Sequence, residues 1–225
     1  MLEIYQKTLS NNISFNGIGL HSGKSSTINL LPAKEDHGII FKRVDLNNNN
    51  LIKATYANVS SARLCTTLEN NQGIKVSTVE HLLAALYMAG VDNALIEINN
   101  EEVPILDGSA KIFIEKILSV GFEISNFPIK IIKIKKDIKY SEGERFISIK
   151  PCALNLEINF ELKYRNKIIG DQSNSIKVYE DDLTNIYNSR TYCLYEDIEM
   201  IKKNGLAKGG SLDNAIVVKG EEILN

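Results

Sequence analysis

The segment Ser77-Thr78-Val79-Glu80-His81 carries the side chains best suited to chemistry in this sequence. Adjacent residues of a helix project about 100° apart, so Glu80 and His81 at a helix N-terminus could approach one metal ion in different roles. His81 would be a neutral imidazole ligand, and Glu80 would be the general base beside a metal-bound water. The structural alternative is a helix capping box, because Ser77 precedes Glu80 by three residues. The segment has no HExxH or HxxxH pair, so this helix supplies a single histidine.

Two glycine-rich segments have the composition of loops that bring backbone close to another group. Gly17–Lys24 fails the GxxxxGK[ST] spacing of a phosphate-binding loop, because five residues separate Gly17 from Gly23. A turn between two strands is the favoured interpretation. Gly205–Asn214 either lets the backbone approach a ligand or permits a tight bend.

One threonine and three cysteines are further candidates. The hydroxyl of Thr191 could donate to a developing oxyanion, although most threonines in strands simply pack. Cys65, Cys152 and Cys193 are far apart and form no CxxC pair, which argues against a zinc knuckle and against a disulfide framework. Cys65 has no histidine near it in sequence, so the pattern predicts a buried structural thiol.

Composition excludes several classes of protein. The chain has 225 residues, of which 44% are hydrophobic and 24% charged, typical of a globular protein of one or two domains. Its net charge of −2 offers no general attraction to nucleic acid. The longest apolar run, Leu82–Val91, has ten residues, whereas a membrane span needs about 20. Met1–Tyr5 does not begin a secretory signal. The odd number and wide spacing of the cysteines favour a reducing compartment, so we expect a cytoplasmic protein.

The elements that must position these residues follow from hydrophobic periodicity. In the first half, a helix over Ser77–Ala89 and a second over Ala110–Val120 are indicated by apolar residues at helical spacing. The predicted strands are Thr27–Leu31, Gly38–Val44 and Asn93–Ile98.

A boundary is predicted near Ser125–Pro128, because the pattern then restarts. Strands are predicted at Ile129–Ile134, at Phe146–Ile149 after a hairpin turn over Ser141–Glu144, at Leu154–Leu162 with one apolar side, and at Ala215–Val218. Helices are predicted at Tyr179–Tyr187 and Glu196–Lys203.

Six segments together resemble the UDP-3-O-acyl-N-acetylglucosamine deacetylases, the zinc amidases of lipid A biosynthesis. Each segment alone is weak, but six in the family's order and spacing, over nearly the whole chain, are highly specific. The segments are Gly17–Lys24 (GIGLHSGK), Leu64–Thr67 (LCTT), Ser77–Ala85 (STVEHLLAA), Val103–Ala110 (VPILDGSA), Ser189–Tyr192 (SRTY) and Gly205–Val218 (GLAKGGSLDNAIVV).

The resemblance implies an α+β fold of two similar domains, each a β-sheet layered against α-helices, with the active site between them. Residues 1–126 would form the N-terminal domain with the Glu80-His81 motif. Residues 127–225 would form a C-terminal domain, incomplete at its C-terminus, with an insert at about 190–215 that lines the passage for the substrate's acyl chain. We expect a monomer.

The resemblance also implies a reaction and a set of site residues. The reaction is zinc-dependent hydrolysis of the N-acetyl group of UDP-3-O-acyl-N-acetylglucosamine, which releases acetate. His81 would be a zinc ligand, Glu80 the general base and Thr191 the oxyanion donor. The implied substrate contacts are Leu64, Cys65, Tyr192, Ile198, Ala207, Gly210 and Ser211.

One departure from the family pattern concerns the metal. The family carries a second metal segment, H-K-x-x-D, and a later histidine that acts as general acid. No histidine follows His81 here, so the expected Zn²⁺ site is incomplete in this chain, since a catalytic zinc usually takes three protein ligands and a water. His21 and His37 are the other imidazoles, and the family places the loop with His21 near the cleft but not on the metal.

Three interpretations remain open at this point. The favoured one is a fragment of an active deacetylase, because Glu80, His81 and Thr191 are all retained. The others are a truncated inactive product and a metal-free module that binds a UDP-sugar or a protein.

Overall fold

The fold is α+β, with strands along the whole chain and helices that are short. A computed structural model describes residues 4–153 and 155–225. Residues 1–3, part of the N-terminal segment considered above, and Leu154, the first residue of a predicted strand, lie outside the described residues. No helix within the described ranges has the length and apolarity needed to cross a membrane.

A five-stranded mixed sheet is the centre of the first half of the chain. The elements there are, in chain order, β1 (Tyr5–Leu9), β2 (Ile13–Ile18), β3 (Ser25–Pro32), β4 (Ile39–Arg43), β5 (Leu51–Lys53), β6 (Val59–Ser61), β7 (Thr67–Glu69), β8 (Lys75–Val76), α1 (Glu80–Met88), β9 (Ala94–Ile98), α2 (Lys111–Ser119) and β10 (Phe122–Pro128). The strand order of the sheet is β2-β3-β9-β4-β5, in which β4 and β9 are parallel and the other pairs antiparallel. Strands β6, β7 and β8 form a small antiparallel sheet, and β1 pairs with β10.

The sheet buries one face because its strands alternate. Along β3, Ile28 and Leu30 are fully buried, and along β9 the same is true of Ala94, Ile96 and Ile98. Successive side chains of a strand point to opposite faces, so these residues form one continuous apolar surface.

The two helices cover that surface. Helix α1 buries Leu82, Ala85 and Leu86, a spacing of three and four residues that puts one stripe of the helix against the core. Helix α2 packs beside it and buries Phe113, whose ring centroid lies 5.0 Å from that of Phe15 on β2. The N-terminal half of the chain therefore holds a contiguous core built from sheet and helices.

The second half is organised as separate small sheets. Its elements are β11 (Ile138–Glu142), β12 (Arg145–Ile149), β13 (Glu157–Lys163), β14 (Asp171–Lys177), α3 (Thr184–Asn188), β15 (Tyr192–Leu194), α4 (Ile198–Lys203), β16 (Ile216–Lys219) and β17 (Glu222–Ile223). Strands β11 and β12 form one hairpin, and β13 and β14 form another. Strands β15 and β16 are parallel, and α4 lies in the segment that connects them. Strand β17 pairs antiparallel with β16.

The predicted elements are confirmed in the first half and partly wrong in the second. Both predicted helices form, one or more residues shorter at each end, and each is followed by a glycine in the left-handed region, Gly90 at φ +72° and Gly121 at φ +72°. The strand predicted at 129–134 is wrong, because the strand lies at 122–128, where β1 provides a partner. The predicted boundary residues 125–128 are part of that strand, and the division into domains stays a prediction.

The apolar side predicted for residues 154–162 is not buried. Ile158 is 43% exposed and Phe160 57% exposed on β13, although the strand itself forms. The hairpin turn predicted near residues 141–144 is confirmed, with Gly143 at φ +58° between β11 and β12. Val217 and Val218 on β16 are buried as predicted.

Candidate active site

Glu80 and His81 form the first turn of α1, as the sequence predicts, but no capping box holds them there. The Ser77 hydroxyl donates to the Glu101 carbonyl at 3.1 Å, and no side chain caps the helix. The Glu80 carboxylate instead accepts the backbone N–H of Thr66 at 3.0 Å. The structural alternative for this pair is therefore wrong, and Glu80 is held towards the Leu64–Thr67 segment.

The charges of two carboxylates act on the pKa of His81, and sequence reasoning missed one of them. Burial lowers the pKa of His81, while the negative charges of Glu80 and Asp107 act in the opposite direction. The lowered pKa keeps the imidazole neutral near pH 7, the form that binds metals. Asp107 is fixed in place because it accepts the N–H and the hydroxyl of Ser109 at 3.1 and 2.8 Å. Asp107 could have been proposed from the sequence, because it lies inside Val103–Ala110, one of the six segments that resemble the deacetylase family.

Thr191 is brought to this group from the second half of the chain. Its backbone N–H donates to the Gly108 carbonyl at 2.8 Å, and the Arg190 guanidinium donates to the Asp107 carbonyl at 2.7 Å. A Cβ on Gly108 would collide with the carbonyl of Asn214, so only glycine permits this approach. The threonine backbone therefore lies against Gly108, the residue next to Asp107.

The two glycine-rich segments pack against each other. Gly209 donates its N–H to the Leu20 carbonyl at 3.0 Å, and Lys208 donates to the His21 carbonyl at 3.2 Å. A Cβ on Gly209 would collide with the Gly19 carbonyl. The first segment is the turn between β2 and β3 that its spacing favoured, and the second uses its glycines to approach that turn.

Four strained backbone positions surround the same region. Leu64, Thr78, Leu106 and Ala207 have φ values of +61°, +56°, +53° and +50°. Non-glycine residues, and β-branched ones above all, rarely adopt such values, and strain of this kind concentrates at functional sites. Each of the first three lies within two residues of a candidate site residue: Cys65, Glu80 and Asp107.

An apolar cleft of about 230 Å³ opens between the Leu64 segment and α4. Leu64, expected to contact substrate, is on its wall, whereas Ile198, Ala207, Gly210 and Ser211 are not among the residues that line it and stay predictions. Its wall consists of Arg63, Leu64, Asp197, Met200, Ile201, Asn204 and Leu206.

Tyr192 and Cys65 have partners that the sequence did not reveal. The Tyr192 ring packs edge-on to Tyr164 at 5.9 Å, and burial, followed by the hydrogen bond to Tyr164, raises the pKa of Tyr192 to about 12. Cys65 is half-buried. Burial raises the pKa of its thiol, and His21 makes the largest contribution that lowers it. Cys65 is free and only partly buried, and a structural role for its thiol stays a prediction.

The metal-ligand set is incomplete within the described part of the chain. Residues 4–153 and 155–225 contain no group of three or more His, Cys, Asp or Glu side chains able to hold a metal ion. A catalytic zinc usually takes three protein ligands. His81 can supply one of them, so these residues do not fit a full zinc site.

Comparison with known proteins places these features in a family context. The family model described as LpxC, UDP-3-O-acyl N-acetylglycosamine deacetylase, matches residues 6–225. A UDP-3-O-acyl-N-acetylglucosamine deacetylase of Actinobacillus pleuropneumoniae serotype 3 is 37% identical over 99% of this chain and 74% of its own length. Those of Colwellia psychrerythraea and Haemophilus influenzae are each 39% identical over 99% of this chain and 73% of their lengths.

Proposed function

Because the chain belongs to the LpxC family of UDP-3-O-acyl N-acetylglycosamine deacetylases, we propose that it serves in the deacetylation of UDP-3-O-acyl-N-acetylglucosamine in lipid A biosynthesis. The reaction cleaves the N-acetyl amide with water and releases acetate. One observation carries the proposal: the backbone N–H of Thr191 bonds to the Gly108 carbonyl, next to Asp107, whose negative charge acts on the pKa of His81. The backbone of Thr191, from a distant part of the chain, is thereby brought beside the Asp107 segment.

Glu80 is the general base of this proposal. Its carboxylate is oriented by the N–H of Thr66, and it stands beside His81 at the start of a helix. It would take a proton from the attacking water and pass it towards the leaving amine. General base catalysis of this kind contributes about 10²- to 10⁴-fold in rate.

Thr191 is the oxyanion donor. Its backbone N–H bonds to the Gly108 carbonyl, which fixes the strand position from which the hydroxyl projects. A preorganised donor aimed at developing negative charge is worth about 10²- to 10³-fold in kcat.

The acyl chain of the substrate would enter the cleft beside Leu64. The cleft is mostly apolar and has room for several methylene groups at about 230 Å³. Each buried CH₂ contributes about 0.8 kcal/mol, so even a short stretch of chain adds useful affinity. Tyr192 would stand beside the sugar.

Zinc dependence is part of the proposal, with His81 as one ligand. A bound zinc would activate water and polarise the amide carbonyl. The ligand shortfall within the described residues predicts that the 225-residue chain alone does not hold stoichiometric zinc.

The test uses the 225-residue chain and a chimera in which it is continued by the last part of the Actinobacillus relative, beyond the 74% that is matched. Zinc content is measured by mass spectrometry, and the free amine formed from UDP-3-O-acyl-N-acetylglucosamine by liquid chromatography. We expect one zinc and turnover in the chimera. Glu80→Gln should lower its kcat by about 10²- to 10⁴-fold and Thr191→Val by about 10²-fold. Glu115→Gln, on the exposed side of α2, is the matched control.

Two outcomes would count against the proposal. Unchanged turnover in Glu80→Gln would remove this residue as the base. A folded, zinc-loaded chimera that binds the substrate without producing amine would favour a binding module over an enzyme. Stoichiometric zinc in the 225-residue chain, lost on His81→Ala, would contradict the expected shortage of zinc ligands. It would not contradict the proposed reaction.

A further inference from the structure

Thr78 has a backbone conformation that its own side chain disfavours. Its φ is +56°, in the left-handed region that β-branched residues rarely adopt. The residue is 2% exposed, so packed neighbours surround it on all sides. Strain of this kind persists only where the surrounding structure enforces it, and it concentrates where the direction of the chain matters for function.

The chain has to turn at this strained residue because the residues on both sides of it are fixed. The Ser77 N–H donates to the Glu101 carbonyl at 2.9 Å, and the Ser77 carbonyl accepts the N–H of Val103 at 3.1 Å. On the other side, the Val79 carbonyl accepts the N–H of Leu83 at 2.9 Å, which begins the hydrogen bonding of α1. A single residue therefore connects an extended segment to a helix.

The hydroxyl of Thr78 holds the turn closed. It donates to the carboxylate of Glu102 at 2.8 Å, and that carboxylate belongs to a residue that is 1% exposed. A hydrogen bond to a charged group is about twice as strong as one between neutral groups. The side chain of Thr78 therefore offsets the strain of its own backbone.

The turn sets the direction of Glu80. Glu80 is the first residue of α1, two residues after Thr78. The Val79 N–H donates to the Thr66 carbonyl at 3.4 Å, and the Glu80 carboxylate accepts the Thr66 N–H at 3.0 Å. Thr66 thus bonds to the backbone that leaves the turn and to the carboxylate that follows it. A different angle at the start of α1 would break both hydrogen bonds.

We infer that Thr78 is a positioning residue for the proposed reaction, because its strained turn, closed by Glu102, aims the Glu80 carboxylate. The inference rests on the role proposed above for Glu80 as the general base. A general base must lie within hydrogen-bond reach of the proton that it takes, and a displacement of about 1 Å can cost about 10²-fold in rate. Thr78 itself takes no part in the chemistry.

The first test follows the Thr66 amide of the 225-residue chain by hydrogen exchange with detection by NMR. Thr78→Val removes the hydroxyl at nearly constant shape, and we expect the Thr66 amide to exchange at least about tenfold faster. Thr78→Ser keeps the hydroxyl and should leave the exchange rate unchanged. Glu80→Ala gives the rate of the same amide without its carboxylate partner.

The matched control is Thr8→Val on β1. The Thr8 hydroxyl donates to the Asn93 carbonyl at 2.7 Å and accepts the N–H of Ala33 at 3.0 Å. Its loss also removes hydrogen bonds of a part-buried threonine, so the melting temperature should fall as it does in Thr78→Val. The exchange rate of the Thr66 amide should not change.

The second test uses the chimera described under the proposed function. Thr78→Val should lower its kcat by about 10- to 100-fold and leave KM nearly unchanged, because no proposed substrate contact is altered. Thr78→Ser should restore most of the kcat, and Thr8→Val should leave kcat as it is in the unsubstituted chimera. A purely structural role for Thr78 would give equal effects in Thr78→Val and Thr8→Val.

Three results would overturn the inference: equal effects of these two variants, an unchanged kcat in folded Thr78→Val, or a Thr66 amide that stays protected in it. If Thr78→Val does not fold, Thr78→Gly takes its place under the same criteria, since glycine adopts a positive φ without strain and also lacks the hydroxyl. Absence of turnover in the unsubstituted chimera counts against the proposed function, and Thr66 exchange in the 225-residue chain then decides the positioning.

Discussion

Glu102 shows how one side chain organises the loops around the candidate site. It is 1% exposed, and its carboxylate accepts the N–H groups of His21 and Ser22 and the hydroxyl of Thr78, all within 2.8 Å. A Cβ on Gly19 would collide with the same carboxylate. A buried charge is tolerated when donors surround it, and here those donors come from the turn after β2 and from the residues before α1.

Replacing Glu102 by glutamine should therefore cost about 1–3 kcal/mol of unfolding free energy. The amide presents an NH₂ group where the carboxylate accepted a backbone N–H, so one buried donor loses its partner. Urea unfolding measures the change.

The neighbouring Glu101 is the matched control. Its carboxylate is half-exposed and pairs with Lys24 at 3.4 Å, and exposed pairs contribute about 0–1 kcal/mol. Equal losses for Glu102→Gln and Glu101→Gln would show that the three hydrogen bonds to Glu102 do not organise this region.

At the scale of elements, Gly108 determines whether β15 and β16 can dock beside the candidate site. It lies in the left-handed region at φ +84°, and the Asn214 carbonyl occupies the space of a Cβ. The backbone hydrogen bond from Thr191 to Gly108 depends on this close approach.

Gly108→Ala should lower the melting temperature far more than Gly220→Ala. Both positions have positive φ, at +84° and +56°, but a Cβ on Gly220 meets nothing within 4 Å. The left-handed conformation costs an alanine about 1–2 kcal/mol at either position, and overpacking adds about 1–3 kcal/mol at Gly108 alone. Scanning calorimetry of the two variants separates the backbone cost from the overpacking cost. Equal decreases in melting temperature would contradict a collision between a Cβ at position 108 and the Asn214 carbonyl.

The elements also show what the sequence could predict. Helix α1 and strand β3 were predictable because their apolar residues recur at helical and alternating spacing, and both bury that pattern in the core. Residues 129–134 have a similar alternation but no strand partner among the described residues, because β1 pairs with residues 122–128. A strand needs a neighbour, and local pattern does not specify which segment obtains one.

The candidate site, too, was only partly predictable from the sequence. Glu80, His81 and Thr191 lie in motifs that could be recognised along the chain. The effects of His21 on the pKa of Cys65 and of Asp107 on the pKa of His81 depend on loops that meet only in three dimensions. Spacing along the chain carries no signal for such contacts.

At the scale of the whole molecule, burial is distributed unevenly. The fully buried side chains cluster between Leu9 and Ile117, within the mixed sheet and its two helices. The hairpins of the second half expose large apolar side chains, among them Phe146 at 60% and Ile147 at 70% on β12. Exposed apolar surface of this extent favours association between molecules.

Hydrogen exchange should reproduce this division. Amides of β3 and β9 should exchange only through global unfolding, whereas those of β11–β14 should exchange orders of magnitude faster through local opening. Exchange followed by mass spectrometry at residue resolution tests it. Similar protection in both regions would show that the hairpins share the stability of the core.

Most hydrogen bonds in the join between the two glycine-rich segments, and in that between Thr191 and Gly108, connect main-chain atoms, and the side chains of His21 and Arg190 add one each. The donors and acceptors are peptide groups of Leu20, His21, Gly209 and their neighbours, and every amino acid but proline carries both. Mutation can therefore replace most side chains along this seam without removing a hydrogen bond. The glycines are the exception, since any Cβ at 19, 108 or 209 meets an occupied position. Over evolutionary time the seam can drift freely in sequence around these few fixed points.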